Sequence, residues 1–182
     1  MLRVLSAALV LTCMPGSTAT HVDRKPVLVE TYAVGHVGGA FSRVTTFEVR
    51  VTSIPGANVK KTEVVVNMRE SKKSLHMGPN VSMDADEFDG FAATVSAMPQ
   101  ELAKISKRTF GTAELTVPIV DTLRLGAVFD PSNKRGRMYV QVSNDFDEFD
   151  EEGWKDVELA VDMVRATLAK IGWERPSSRP TK

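Results

Sequence analysis

Apolar residues recur at Phe88, Phe91, Val95, Met98, Leu102 and Ile105, in steps of 3, 4, 3, 4 and 3. That spacing places all six on one stripe of an α-helix. Trp154, Val157, Val161, Val164, Leu168 and Ile171 repeat the same steps 66 positions later, and both stripes end on Leu-Ala-Lys-Ile, at 102–105 and 168–171. Two amphipathic helices in one register are predicted. Asp84 caps the first, and Glu87 three residues on completes a capping box. The second runs from Asp150 to Ile171, with Gly172 as its C-cap. Pro99 lies inside the first stripe, where it removes a hydrogen bond and crowds the preceding turn. It predicts a kink, or a break into two short helices, near Met98.

The remaining apolar positions alternate with a period of two, the signature of strands with one wet face. Val27 to Val34 predicts a first strand, ended by Gly35-His36-Val37-Gly38-Gly39 as a tight turn. Phe47, Val49 and Val51 face inward from a second strand, with Glu48, Arg50 and Thr52 outward. Val64, Val66 and Met68 face inward from a third, and Val81 and Met83 close a short fourth. Thr112 to Val120 and Thr122 to Phe129 give two more; Pro118 lacks an N–H, so its strand is an edge or is bulged there. Met138, Val140 and Val142 line a seventh. About seven strands and two helices, in the order strands, helix, strands, helix, predict an α+β fold with mainly antiparallel sheet. It is expected as one domain over 20–172, a pseudo-repeat of a strands-then-helix unit with halves 27–105 and 112–171. Each half is expected to be an antiparallel sheet covered by one helix, and 173–182 to be a loose, proline-broken tail.

The first 19 residues follow another logic. Arg3, the apolar run Val4 to Leu11, and Ser17-Thr18-Ala19 give the order of a secretory signal peptide. The run falls well short of the roughly 18–20 residues that span a bilayer, so no transmembrane helix is expected. Cys13 is the only cysteine. It follows Val10-Leu11-Thr12 like the end of a lipoprotein signal, although Thr12 stands where Gly or Ala is usual. Cleavage near Ala19 leaves a mature chain with no disulfide and no thiolate chemistry. Losing Arg3 with the leader leaves 22 basic against 23 acidic residues, a formal charge of −1. Nucleic-acid binding needs a basic footprint, which this balance does not supply. The clusters Lys60-Lys61, Lys72-Lys73 and Lys134, Arg135 and Arg137 are expected at solvated hairpin tips.

Candidate chemistry is sparse. Asp145-Phe146-Asp147-Glu148-Phe149-Asp150-Glu151-Glu152 is the densest acidic segment. Counted as a calcium loop, its sixth position is Asp150, and counted from Asp84 the sixth is Asp89, whereas the loop needs glycine there. The segment is expected instead as a helix N-terminus loaded with carboxylates that complement the dipole. His21, His36 and His76 are scattered singly, without zinc spacing. His76-Met77, with Met68 and Met83, is a conceivable soft copper site, but methionine is more often a core filler. Neither G-x-S-x-G nor H-E-x-x-H occurs. Gly35 to Gly39 lacks the spacing of a phosphate loop, Asn80-Val81-Ser82 is a glycosylation triplet, and Trp154 belongs to the apolar stripe. No catalytic, cofactor-binding or metal residue is assigned, and no cofactor is expected.

Asp86-Glu87-Phe88-Asp89-Gly90-Phe91 and Gly126-Ala127-Val128-Phe129 resemble elements of a group of small exported bacterial proteins of unknown function, with a strands-helix-strands-helix layout. In that group an acidic segment opens the first helix, and a Gly-hydrophobic-Phe element precedes the last strand and helix. The repeated order is also similar to the curved-sheet units of the whirly type, which bind single strands on basic sheets; this chain lacks that charge. The expectation is an exported, non-enzymatic binding or interaction module acting on a protein or small ligand. The alternatives are a small envelope hydrolase and a periplasmic metal-binding protein.

Overall fold

A computed structural model describes residues 27–39, 43–57, 60–69 and 78–173. The leader with Cys13, and with it His21, Lys72-Lys73, His76-Met77 and the tail beyond Trp173, lie outside the described residues. Four strands, β1 (Leu28–Gly38), β2 (Val44–Ser53), β3 (Lys60–Arg69) and β4 (Asn80–Met83), lead into α1 (Ala85–Ile105). Four more, β5 (Ala113–Val120), β6 (Leu123–Asp130), β7 (Arg135–Val142) and β8 (Asp145–Phe149), lead into α2 (Glu151–Lys170). The fold is α+β, with two antiparallel meanders, β1-β2-β3-β4 and β5-β6-β7-β8. No helix among the described residues is long and apolar enough to cross a membrane.

The alternation predicted for the strands places the core. Phe47, Val49, Val64, Val66 and Met68 of the first sheet and Leu123, Leu125, Met138, Val140 and Val142 of the second join the two helical stripes in one apolar cluster. Pro118 lies on the edge strand β5, and the pairing with β6 slips by one residue between Pro118 and Val120. Both features follow from its missing N–H.

The helix caps match their sequence signals. Glu87 N–H donates to Asp84 Oδ1 at 3.0 Å, and Asp84 N–H donates to Glu87 Oε2 at 2.8 Å. Asp150 caps α2 by accepting from Gly153 N–H at 2.9 Å. Gly172 follows α2 with a φ of +66°, a conformation glycine takes without strain. Asp84→Ala removes one orphan donor's partner and is expected to lower stability by about 1 kcal/mol. A denaturant midpoint unchanged by the substitution would contradict the capping box.

Three expectations are corrected. First, of the kink or break expected near Met98, the break does not occur: α1 continues through Pro99 as one helix. Pro99 cannot donate to the carbonyl of Val95, four residues back, but Trp154 Nε1 on α2 donates to that carbonyl at 3.0 Å in the buried interior. The neighbouring helix supplies the hydrogen that proline lacks. Second, β1 continues through Gly35 to Gly38, and Val34 is an extra residue bulged between Ala33 and Gly35. Gly35 faces α2, where a Cβ would sit 3.7 Å from Ala160 Cβ, an ordinary packing contact. Third, the acidic segment is not all helix N-terminus: Asp145–Phe149 is an eighth strand, with Asp147 opposite Val140 of β7.

The helices are also exchanged. α1 lies mainly on β5 and β6, and α2 on β1 and β2, so each covers the other half's sheet. Leu102 of α1 packs over Gly136 of β7, where a Cβ would come within 2.9 Å of the leucine. An apolar stripe says which face of a helix is buried, but not against which sheet. The repeat extends beyond the helices. Shifted by the same 66 positions, β4 falls on 146–149 within β8, and the cap Asp84 on the cap Asp150. In that alignment the inward-facing Val81 corresponds to Asp147.

Candidate functional site

Asp147 occupies a position that strand alternation reserves for an apolar side chain. It pairs with Val140 between two buried neighbours, Asp145's partner Val142 and Phe149's partner Met138, and is itself fully buried. Its Oδ2 accepts the Gly39 N–H at 3.1 Å, linking the end of β1 in the first half to β8 in the second. Its Oδ1 is buried without a hydrogen-bond partner among the described residues. Gly39 lies directly against the carboxyl: a Cβ there would fall 2.0 Å from Asp147 Oδ1 and 2.7 Å from the Glu148 carbonyl. Arg43, just before β2, reinforces the seam. Its Nη1 lies 2.9 Å from Asp145 Oδ1 and donates to the Phe146 carbonyl at 3.3 Å.

Burial, which disfavours the charged form, pushes the Asp147 pKa up to about 6 from 3.8. The Gly39 N–H, the Arg43 guanidinium and the Glu148 backbone oppose the rise, and the Glu148 carboxylate adds a like charge. A buried carboxyl with a raised pKa at a junction between units is a functional-site candidate on physical grounds. Its enclosure limits the chemistry. A general acid must come within hydrogen-bond reach of a substrate, and Asp147 has no exposed surface.

Other polar groups serve the fold. Glu48 pairs with Arg50 at 3.1 Å, and Arg137 with Asp150 at 3.4 Å. On the outer face of the second sheet, Tyr139 donates to Glu114 at 2.9 Å and lies 2.6 Å from the Thr116 hydroxyl, its ring filling the space left by Gly126 opposite. Burial, as the largest cause, raises the Tyr139 pKa above its usual value. Thr45 Oγ1, both polar ends of Asn67, and Arg69 Nε are also buried without partners among the described residues.

The sequence-derived candidates scatter. Met68 and Met83 are core residues, His36 is exposed on β1, and Lys134 lies in the β6–β7 turn with a φ of +54°. Among the described residues no three His, Cys, Asp or Glu side chains converge as a metal site. Asp147 was missed because it sits inside a charged run. Its signal was the 66-residue alignment with Val81. No family model, curated protein or solved structure matches this chain.

Proposed function

We propose that this chain is an exported, non-enzymatic interaction module that receives an extended segment of a partner protein along the free edge of β1. The carrying observation is the state of that edge. Among the described residues β1 is paired on one side only. Its first residues are exposed on both faces, with Val29 at 46%, and α2 flanks it with exposed Leu159 and Met163, at 58% and 43%. Met163 Sδ lies beside Gly35 of β1. Unpaired backbone donors and acceptors along an edge are complemented by another extended backbone, and apolar neighbours add side-chain contacts. The bulge at Val34 guards the second part of the strand, which leaves Leu28 to Thr31 as the receiving segment. Export rests on Arg3, the Val4–Leu11 run and Ser17-Thr18-Ala19.

A library of linear peptides with alternating apolar residues provides the probe. The mature protein is expected to select extended apolar sequences, and Val29→Lys and Leu159→Lys are each expected to abolish the selection while leaving the fold intact by circular dichroism. A sedimentation profile of a stable dimer, with no peptide selected, would assign the edge to a second copy and sink the proposal. Turnover of esters, glycosides or peptides by the purified protein would overturn its non-enzymatic part.

A further inference from the structure

We propose that the seam joining the ends of β1 and β2 to β8 is a protonation-controlled fastening, closed while Asp147 holds its proton and loosened when it ionises. The geometry is independent of the peptide-receiving edge. Asp147 takes the inward slot that Val81 fills in the other half, and no surface of it reaches solvent. Neutral, the carboxyl is tolerated there, with Oδ2 accepting from Gly39. Ionised, it places a charge whose Oδ1 has no hydrogen-bond donor among the described residues. A buried charge without full compensation costs far more than a neutral carboxyl in the same place.

The charged groups around it do not remove that cost. Arg43, at the start of β2, is the nearby cation, but its guanidinium is bonded to Asp145 and the Phe146 carbonyl. The backbone of Glu148, next on β8, eases the charge and its carboxylate adds repulsion, and neither outweighs burial. β7 presents the apolar Val140 directly opposite. Separating Gly39 from β8 admits water to the carboxylate, so ionisation and opening favour one another.

The sign follows from linkage. The closed seam binds the proton more tightly than the open one, so closure is fully favoured below about pH 4 and weakens as pH rises through about 6. The difference between 3.8 and about 6 corresponds to an opening constant on the order of 100-fold larger at neutral than at acid pH.

Hydrogen exchange by NMR on the mature protein tests this. Corrected for intrinsic exchange, protection of the Gly39 amide is expected to fall on the order of 100-fold between about pH 4 and about pH 7.5, while the core Val66 amide changes much less. Asp147→Asn keeps an oxygen for the Gly39 N–H and cannot ionise, and it is expected to hold Gly39 protection flat. Direct carbon-13 titration of the Asp147 carboxyl is expected to give a midpoint near 6 in the wild type, whether or not the variant folds. Any one of three results overturns the proposal: a normal aspartate midpoint, pH-independent Gly39 protection in the wild type, or equal loss at Val66, which would mean that the whole fold rather than the seam responds.

Discussion

Trp154→Ala is expected to destabilise the fold by about 3–5 kcal/mol, the range for deleting a large buried aromatic. Trp154 is 1% exposed, packs edge-on against Phe149 with ring centroids 6.0 Å apart, and donates its indole hydrogen to Val95. The hydrogen bond can be separated from the volume. Trp154→Phe keeps most of the packing but leaves the Val95 carbonyl buried without a donor, for an expected loss of about 1–3 kcal/mol. Pro99→Ala then restores a backbone N–H one turn below that carbonyl. Alanine at 99 has its own helix-propensity gain, so the informative quantity is the difference between backgrounds. The gain from Pro99→Ala is expected to be about 1 kcal/mol larger in Trp154→Phe than in the wild type. Urea unfolding of the four proteins measures it. Equal gains in the two backgrounds would mean that Trp154 does not compensate for the proline.

Gly39→Ala is expected to cost about 3 kcal/mol, the upper part of the usual range for overpacking. The new Cβ would lie 2.0 Å from Asp147 Oδ1 and 2.7 Å from a backbone carbonyl of β8. The carboxyl can rotate away in part; the strand must shift as well. Adding Asp147→Ala removes the nearer obstacle but leaves the Glu148 carbonyl, so the double variant is expected to recover part of the loss. Full additivity of the two substitutions in denaturant midpoint would show that Gly39 and Asp147 do not share a seam.

These two positions differ in what the sequence offered. Trp154 was legible as a core residue because it opens a stripe with helical spacing, and Pro99 was legible as a disruption. Their connection was not: nothing local says that residue 154 reaches the one carbonyl that residue 99 leaves unbonded. Asp147 was legible only as one carboxylate among several. A polar side chain at an inward strand position erases the alternation by which strands are recognised, so β8 and its buried carboxyl disappeared together into an apparent helix N-terminus. The glycines at 35 to 39 suggested a turn for a related reason. Glycine marks a close approach as readily as a chain reversal, and here Gly39 admits the Asp147 carboxyl.

By itself the sequence determined what depends on neighbours along the chain. The α+β class, the inward faces of most strands, the helix caps at Asp84 and Asp150, and the shared 66-residue register all arise from periodicity and local hydrogen bonding. Only the tertiary structure decided how those units meet: that each helix crosses to the other half's sheet, that Trp154 makes good the hydrogen bond lost at Pro99, and that Asp147 is sealed beneath Gly39. Burial of an apolar stripe is non-directional, so it records that a face must be covered without recording by what. The directional contacts that complete the fold join residues such as 39 and 147, whose proximity no local pattern encodes.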